Sequence, residues 1–179
     1  MPLTNQILSM GNSSVFVSLK NISAAYRQKL KQFPEEQFQT TPPIDGWSYS
    51  EVYCHIFDSS LLTLKEVRKC IDGQGEDKPT AFIVKVILFL GSLPPASKYK
   101  VPKKLASRTK KITKTEAHDF IDQFLSELEF VYHEIHLASP SVKTLHPRLG
   151  YMNAKQWFRF MEIHLKHHFQ QLKRIEKSF

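Results

Sequence analysis

Residues 157–172 read Trp157-Phe158-Arg159-Phe160-Met161-Glu162-Ile163-His164-Leu165-Lys166-His167-His168-Phe169-Gln170-Gln171-Leu172. At helical spacing Trp157, Met161, His164, His168, Leu172 and Ile175 fall on one stripe, the face an amphipathic helix buries. Two of its members are imidazoles where a core normally carries Leu or Ile. A buried polar ring destabilises the fold unless it finds partners. His164 and His168 are four residues apart, so their rings share a face within reach of one ion. The plainer reading, hydrogen-bonded core histidines, weighs about equally until a third ligand is found.

Other amphipathic stretches give this helix its neighbours. Val15, Leu19, Ile22, Tyr26 and Leu30 mark a first helix from Ser13 or Ser14 to about Gln32, after a polar and irregular start, with Phe33-Pro34 ending it. Ser48-x-x-Glu51 is a capping box opening a second helix that runs to about Ile71, where Asp72-Gly73-Gln74-Gly75 stops it. Trp47 stands where it can staple onto Val52. The core side of this helix holds Val52, His55, Ile56, Ser59, Leu62 and Thr63. A short apolar helix is expected from Pro79 to Gly91, and a long one from a cap at or near Thr115 to about Leu137. Phe120, Phe124, Leu128, Val131 and Ile135 form the stripe of that long helix. Residues 138–150 read as a loop, and the final helix runs from about Asn153 to Glu176.

Four long amphipathic helices without a convincing strand predict an all-α protein, a single four-helix-bundle domain over 1–179. The long crossover, about 72–115 with the short helix inside it, lets the two helices it joins run the same way. The expected order is up-down-down-up. His55 then lies roughly 10 Å along its helix, and His168 roughly 12 Å from the end of an antiparallel one. His55, His164 and His168 meet at one depth and describe an open divalent site for Zn, Ni, Fe, Co or Mn. His164 with His167 is the alternative pair, but His167 points further round the helix.

Composition limits the other readings. The 41% apolar content and 13 Phe fit a folded chain, and only Cys54 and Cys70 are present, so a reducing cytoplasm is expected. No signal peptide is read at the N-terminus. The most apolar window, Ala81–Leu93, is too short to span a bilayer and contains Lys85, so no membrane association is expected. Net charge is +8, and residues 96–114 carry Lys98, Lys100, Lys103, Lys104, Arg108, Lys110, Lys111 and Lys114 with no acid. That run reads first as a solvated loop, and second as a clamp for carboxylates or phosphates. Tyr99 is its only aromatic and no nucleic-acid motif appears, so nucleic acid is not the expected partner. His133 and His136 read first as a surface pair and second as supports behind the site, and Cys54 as a plain buried thiol before a nucleophile. Asp58 and Glu162 are candidates to orient an imidazole.

The spacing from Trp47 to His55, the terminal H-x-x-H-H-x-x-Q of His164–Gln171, and His146-Pro147 with Gly150 together resemble the DinB-like superfamily, over most of the chain. The resemblance implies a four-helix bundle whose three-histidine metal site falls on His55, His164 and His168. Characterised members include bacillithiol-using transferases and mycothiol-dependent isomerases. The resemblance therefore implies a metal-dependent thiol S-transferase or hydrolase, with a low-molecular-weight thiol and a small electrophile as partners. A non-catalytic, stress-linked metal-binding protein is the alternative. No general base or substrate clamp matches a family motif, and a homodimer is compatible with such a bundle.

Overall fold

The computed structural model of the protein describes residues 3–94 and 108–179, with side chains from residue 12 onward. In chain order the elements are α1 (Leu3–Gln32), the single turn α2 (Glu35–Phe38), α3 (Tyr49–Ile71), α4 (Phe82–Leu90) and α5 (Lys114–Glu134). A 3-10 turn (Ile135–Leu137), strands β1 (Lys143–His146) and β2 (Gly150–Asn153), and α6 (Ala154–Glu176) complete the order. The described residues are mostly helical, as the amphipathic stripes predict.

The helix starts are set by reciprocal caps. Ser48 accepts the Glu51 amide while the Glu51 carboxylate takes the Ser48 amide, and Asn153 does the same with Gln156. The third box is Thr113 with Glu116, so α5 begins two residues earlier than a Thr115 cap would place it. Each such cap contributes about 1 kcal/mol. At the other end of α4, Gly91 adopts φ 66, the left-handed cap. That helix is shorter than Pro79–Gly91, because Ala81 is its cap.

α3 is the central element. Its first half is buried nearly all round, with Tyr49, Val52, Tyr53, Ile56 and Phe57 at 1% exposure or less. Ser60 and Leu61 are buried, whereas Ser59 and Leu62 of the expected stripe are partly exposed. α3 packs most extensively on α6 and α5, and α1 closes the other side against the same two helices. Partner pairs descend one side as they climb the other between α3 and the stretch 152–179 that contains α6: Tyr49 with Phe179, His55 with His168, Cys70 with Met152. Between α3 and α5 they climb together, from Ser50 with Ile112 to Phe57 with Phe124 to Arg68 with Glu134. α1 meets α6 through Tyr26, whose hydroxyl donates to the Leu165 carbonyl at 2.8 Å, and meets α5 through Arg27–Asp122 and Lys20–Glu129.

Four sequence readings need correction. α1 begins at Leu3, not Ser13, so the polar start continues the helix. Its buried line is Phe16, Leu19, Ser23, Tyr26 and Leu30, with Val15 and Ile22 only partly covered. On α5, Ile121 takes the buried place expected for Phe120. Residues 143–153, read as loop, form a two-stranded hairpin with Lys143 opposite Asn153 and His146 opposite Gly150. Its β-branched content is too low for a strand signal. The pairing is held from outside, by Thr144 accepting the Trp157 indole N–H at 2.8 Å and by the Glu76–Lys143 bridge. Most of the basic run, 95–107, lies outside the described residues. Within the remainder, Arg108 is paired with Asp58 and Ile112 is buried. Among the described residues no helix is long and apolar enough to cross a membrane.

Candidate metal centre

His55 projects from the second turn of α3, and His164 and His168 from adjacent turns of α6. The two helices present these positions at one depth, and each imidazole offers a nitrogen within 4.8 Å of the other two. The Nε2 atoms of His164 and His168 stand 3.0 Å apart. A tetrahedral ion holding nitrogens at about 2.0–2.1 Å separates them by about 3.3 Å, so this pair already has ligand spacing. His55 and His168 are buried, at 9% and 8% exposure, whereas His164 keeps part of its surface open. Three neutral nitrogen donors with one accessible side match the donor set of an open divalent site.

The surroundings keep the rings neutral. Burial pushes His55 down to about 4, partly opposed by the charge of Asp58. Burial, then the neighbouring imidazoles of His55 and His167, pushes His168 down to about 3. His164 is also held well below its ordinary value, by burial first and then by His168 and His55. A neutral imidazole has the lone pair a cation needs.

Residues to which the sequence reading gave no ligand role complete the walls. Gln171 lies 2.7 Å from Nδ1 of His168 through Oε1. An amide oxygen only accepts, so Nδ1 carries the proton and Nε2 is left bare toward the cluster. The i, i+3 spacing from His168 is the sequence signal for this contact. Trp47 does not serve simply as a staple: its ring packs 4.8 Å from His55 and 6.3 Å from His168, centroid to centroid. Phe160 stacks on His164 at 5.7 Å. Beyond Phe160, Nδ1 of His146 accepts the amides of Arg148 and Leu149, each at 3.1 Å, and burial lowers its pKa to about 4.

The candidates to orient an imidazole are engaged elsewhere. Asp58 takes the Arg108 guanidinium through both carboxylate oxygens. Glu162, 2% exposed, is held by Arg159, Lys166 and the Ser18 hydroxyl. His167 stands outside the triad. It lines a cleft of about 530 Å³ with Leu93, Ile163, Gln170 and Arg174, its ring 5.2 Å from that of His168. Cys54 is a buried thiol, its pKa raised by burial, with Sγ 3.6 Å from the Arg108 carbonyl. Glu51 is a cap, and His133 and His136 are exposed.

Comparison with known families places most of the chain in one of them. The model of the DinB superfamily matches residues 19–172, from the first turns of α1 that pack on the core to the last turns of α6. The chain belongs to the DinB superfamily. The match contains all three histidines of the cluster, together with Trp47 and Gln171. No curated protein and no solved structure gave a significant match to the chain.

Proposed function

We propose that this DinB-superfamily protein holds one divalent metal ion on His55, His164 and His168 and uses it in a transfer or hydrolysis reaction. The observation that carries the reading is the convergence of three buried or half-buried imidazoles on one point, between helices that otherwise contribute apolar side chains there. A bound dication lowers the pKa of a coordinated thiol or water and so supplies a nucleophile at neutral pH. The chain's own part is to keep the imidazoles neutral by burial, to fix the His168 tautomer through Gln171, and to wall the centre with Trp47 and Phe160. His164 is the least buried of the three imidazoles, and a small molecule would reach the centre past it.

The proposed partners are a low-molecular-weight thiol and a small electrophile. The cleft lined by His167, one residue along α6 from His168, is the nearest described space for them, with an apolar wall in Leu93 and Ile163 and a cation in Arg174. The frame we propose is a single up-down-down-up four-helix bundle, supported by the partner pairs that climb together between α3 and α5 and in opposite senses between α3 and α6. Cys54 and Cys70, both free, support a reducing compartment such as the cytoplasm.

One observation favours a second reading, a metal-binding protein without catalysis. Among the described residues, the hydrogen bonds of the nearby carboxylates Asp58 and Glu162 go to cations or a hydroxyl rather than to the triad. Metal analysis of the purified chain is the first test. About one equivalent of a divalent ion is expected in the wild type and none in His55→Ala/His164→Ala; unchanged stoichiometry in that variant sinks the assignment. A screen of small thiols against electrophiles then separates enzyme from binder.

A further inference from the structure

We infer that the cleft beside α6 binds an amphipathic carboxylate, with its chain on Leu93, Pro94 and Ile163 and its carboxylate on Arg174. The inference rests on the reading of this cleft as substrate room for the metal centre, and names the class of molecule that fills it. The cleft measures about 530 Å³, inside the range of about 300–1,000 Å³ usual for small-ligand sites. Its α6 wall is Ile163, His167, Gln170 and Arg174, spaced i, i+4, i+7 and i+11. These positions share one stripe, about 100° round the helix from the stripe that carries His164 and His168. The stripe is graded along about 16 Å of helix. It begins on the apolar Ile163, passes the half-buried His167 and the amide of Gln170, and ends on the cation of Arg174. Leu93 and Pro94, from the segment that follows α4, add apolar surface.

Charge chooses the ligand class. The two acids of α6 are already taken, Glu162 by Arg159 and Lys166, and Glu176 by Lys29. Among the described residues no carboxylate pairs with Arg174. Its charge is felt within the cleft: after burial, it is what holds His167 below its ordinary value. A guanidinium without a partner at one end of an apolar cleft selects a planar anion, which it holds through two parallel hydrogen bonds. Among the described lining residues Arg174 is the single cation, which matches the one charge of a carboxylate rather than the nearly two of a phosphate. A cationic ligand would meet Arg174 as like charge, and a wholly apolar one would leave the guanidinium and the Gln170 amide unanswered. The His167 ring lies 5.2 Å from that of His168. A ligand stretched from Ile163 to Arg174 therefore passes beside the triad with its middle.

The test is isothermal titration of the full chain with octanoate, octylammonium and acetate, before and after a chelator has stripped any metal. Octanoate is expected to bind in both states, at least ~10-fold more tightly than either of the others. Arg174→Met should remove the preference over octylammonium, and since the side chain is exposed the circular dichroism should not change. Phe89→Ser, on the exposed face of α4 and outside the cleft, should bind octanoate as the wild type does. No octanoate binding, equal binding of octanoate and octylammonium, an unchanged preference in Arg174→Met, or loss of binding in Phe89→Ser overturns the inference. So does octanoate binding that disappears with the metal, which would make the carboxylate a ligand of the ion and leave the three-histidine reading standing. Retained discrimination in a chain that holds no metal would instead uphold the cleft and sink the metal reading alone.

Discussion

Two regions of this molecule break the inside–outside rule in opposite directions. Between α3 and α6, three imidazoles sit where a core asks for Leu; on α4, two phenylalanines and a leucine sit where a surface asks for Lys or Glu. The first exception is answered within the chain. Gln171 occupies one nitrogen of His168, Trp47 and Phe160 cover the rings, and burial keeps them neutral. The second is answered by nothing among the described residues. A buried polar group left alone costs a few kcal/mol and destabilises the fold, whereas an exposed apolar ring costs the folded state almost nothing relative to the unfolded one. Misplaced polarity therefore has to be repaired locally, while misplaced apolarity can wait for an outside partner.

That asymmetry can be broken by mutation, beginning on the inside. Gln171→Leu preserves bulk but removes the acceptor for Nδ1–H of His168, and metal affinity should fall 10–100-fold by competition titration. An unchanged affinity would show that the tautomer needs no support. A comparable effect is expected from pH in metal-free protein. His55 falls from an ordinary 6.5 to about 4 on folding, so above pH 6.5 neither state is protonated and stability is at its full value. As pH drops from 6.5 toward 4 the unfolded chain takes a proton that the folded chain refuses. The loss is about 1.4 kcal/mol per pH unit for each such histidine, measurable as a falling urea midpoint. His55→Gln should flatten that slope. The smallest effect belongs to the outside: Phe82→Ser/Phe89→Ser should shift unfolding free energy by less than about 0.5 kcal/mol. A loss of several kcal/mol there would mean that α4 is covered after all.

Much of this was legible in the sequence, and the legible parts share a physical basis. Helices with a period set by burial, such as Trp157–Ile175, and caps that use two side chains, such as Ser48–Glu51, write themselves into residue spacing. The histidine cluster was legible for the same reason: i, i+4 spacing put His164 beside His168, and the depth argument brought in His55. What failed was structure held from a distance. The hairpin 143–153 lacks its own strand signal and depends on Trp157 and Glu76. Trp47 read as a local staple because nothing local shows that two imidazoles lie across from it. Asp58 and Glu162 looked available because their cationic partners come from the far end of the crossover or from the same helix.

Gly75 is where the crossover leaves α3. A β-carbon there would stand 2.6 Å from the Lys143 carbonyl oxygen and 2.8 Å from Val142 Cγ1, while the adjacent Glu76 exchanges backbone hydrogen bonds with Lys143. The hairpin so gripped runs directly into the Asn153 cap of α6. Residues 72–76 thus behave as a ruler of fixed length between the two helices that bear the histidines. A one-residue insertion or deletion there should break the Glu76–Lys143 pairing and loosen the hairpin that leads into α6.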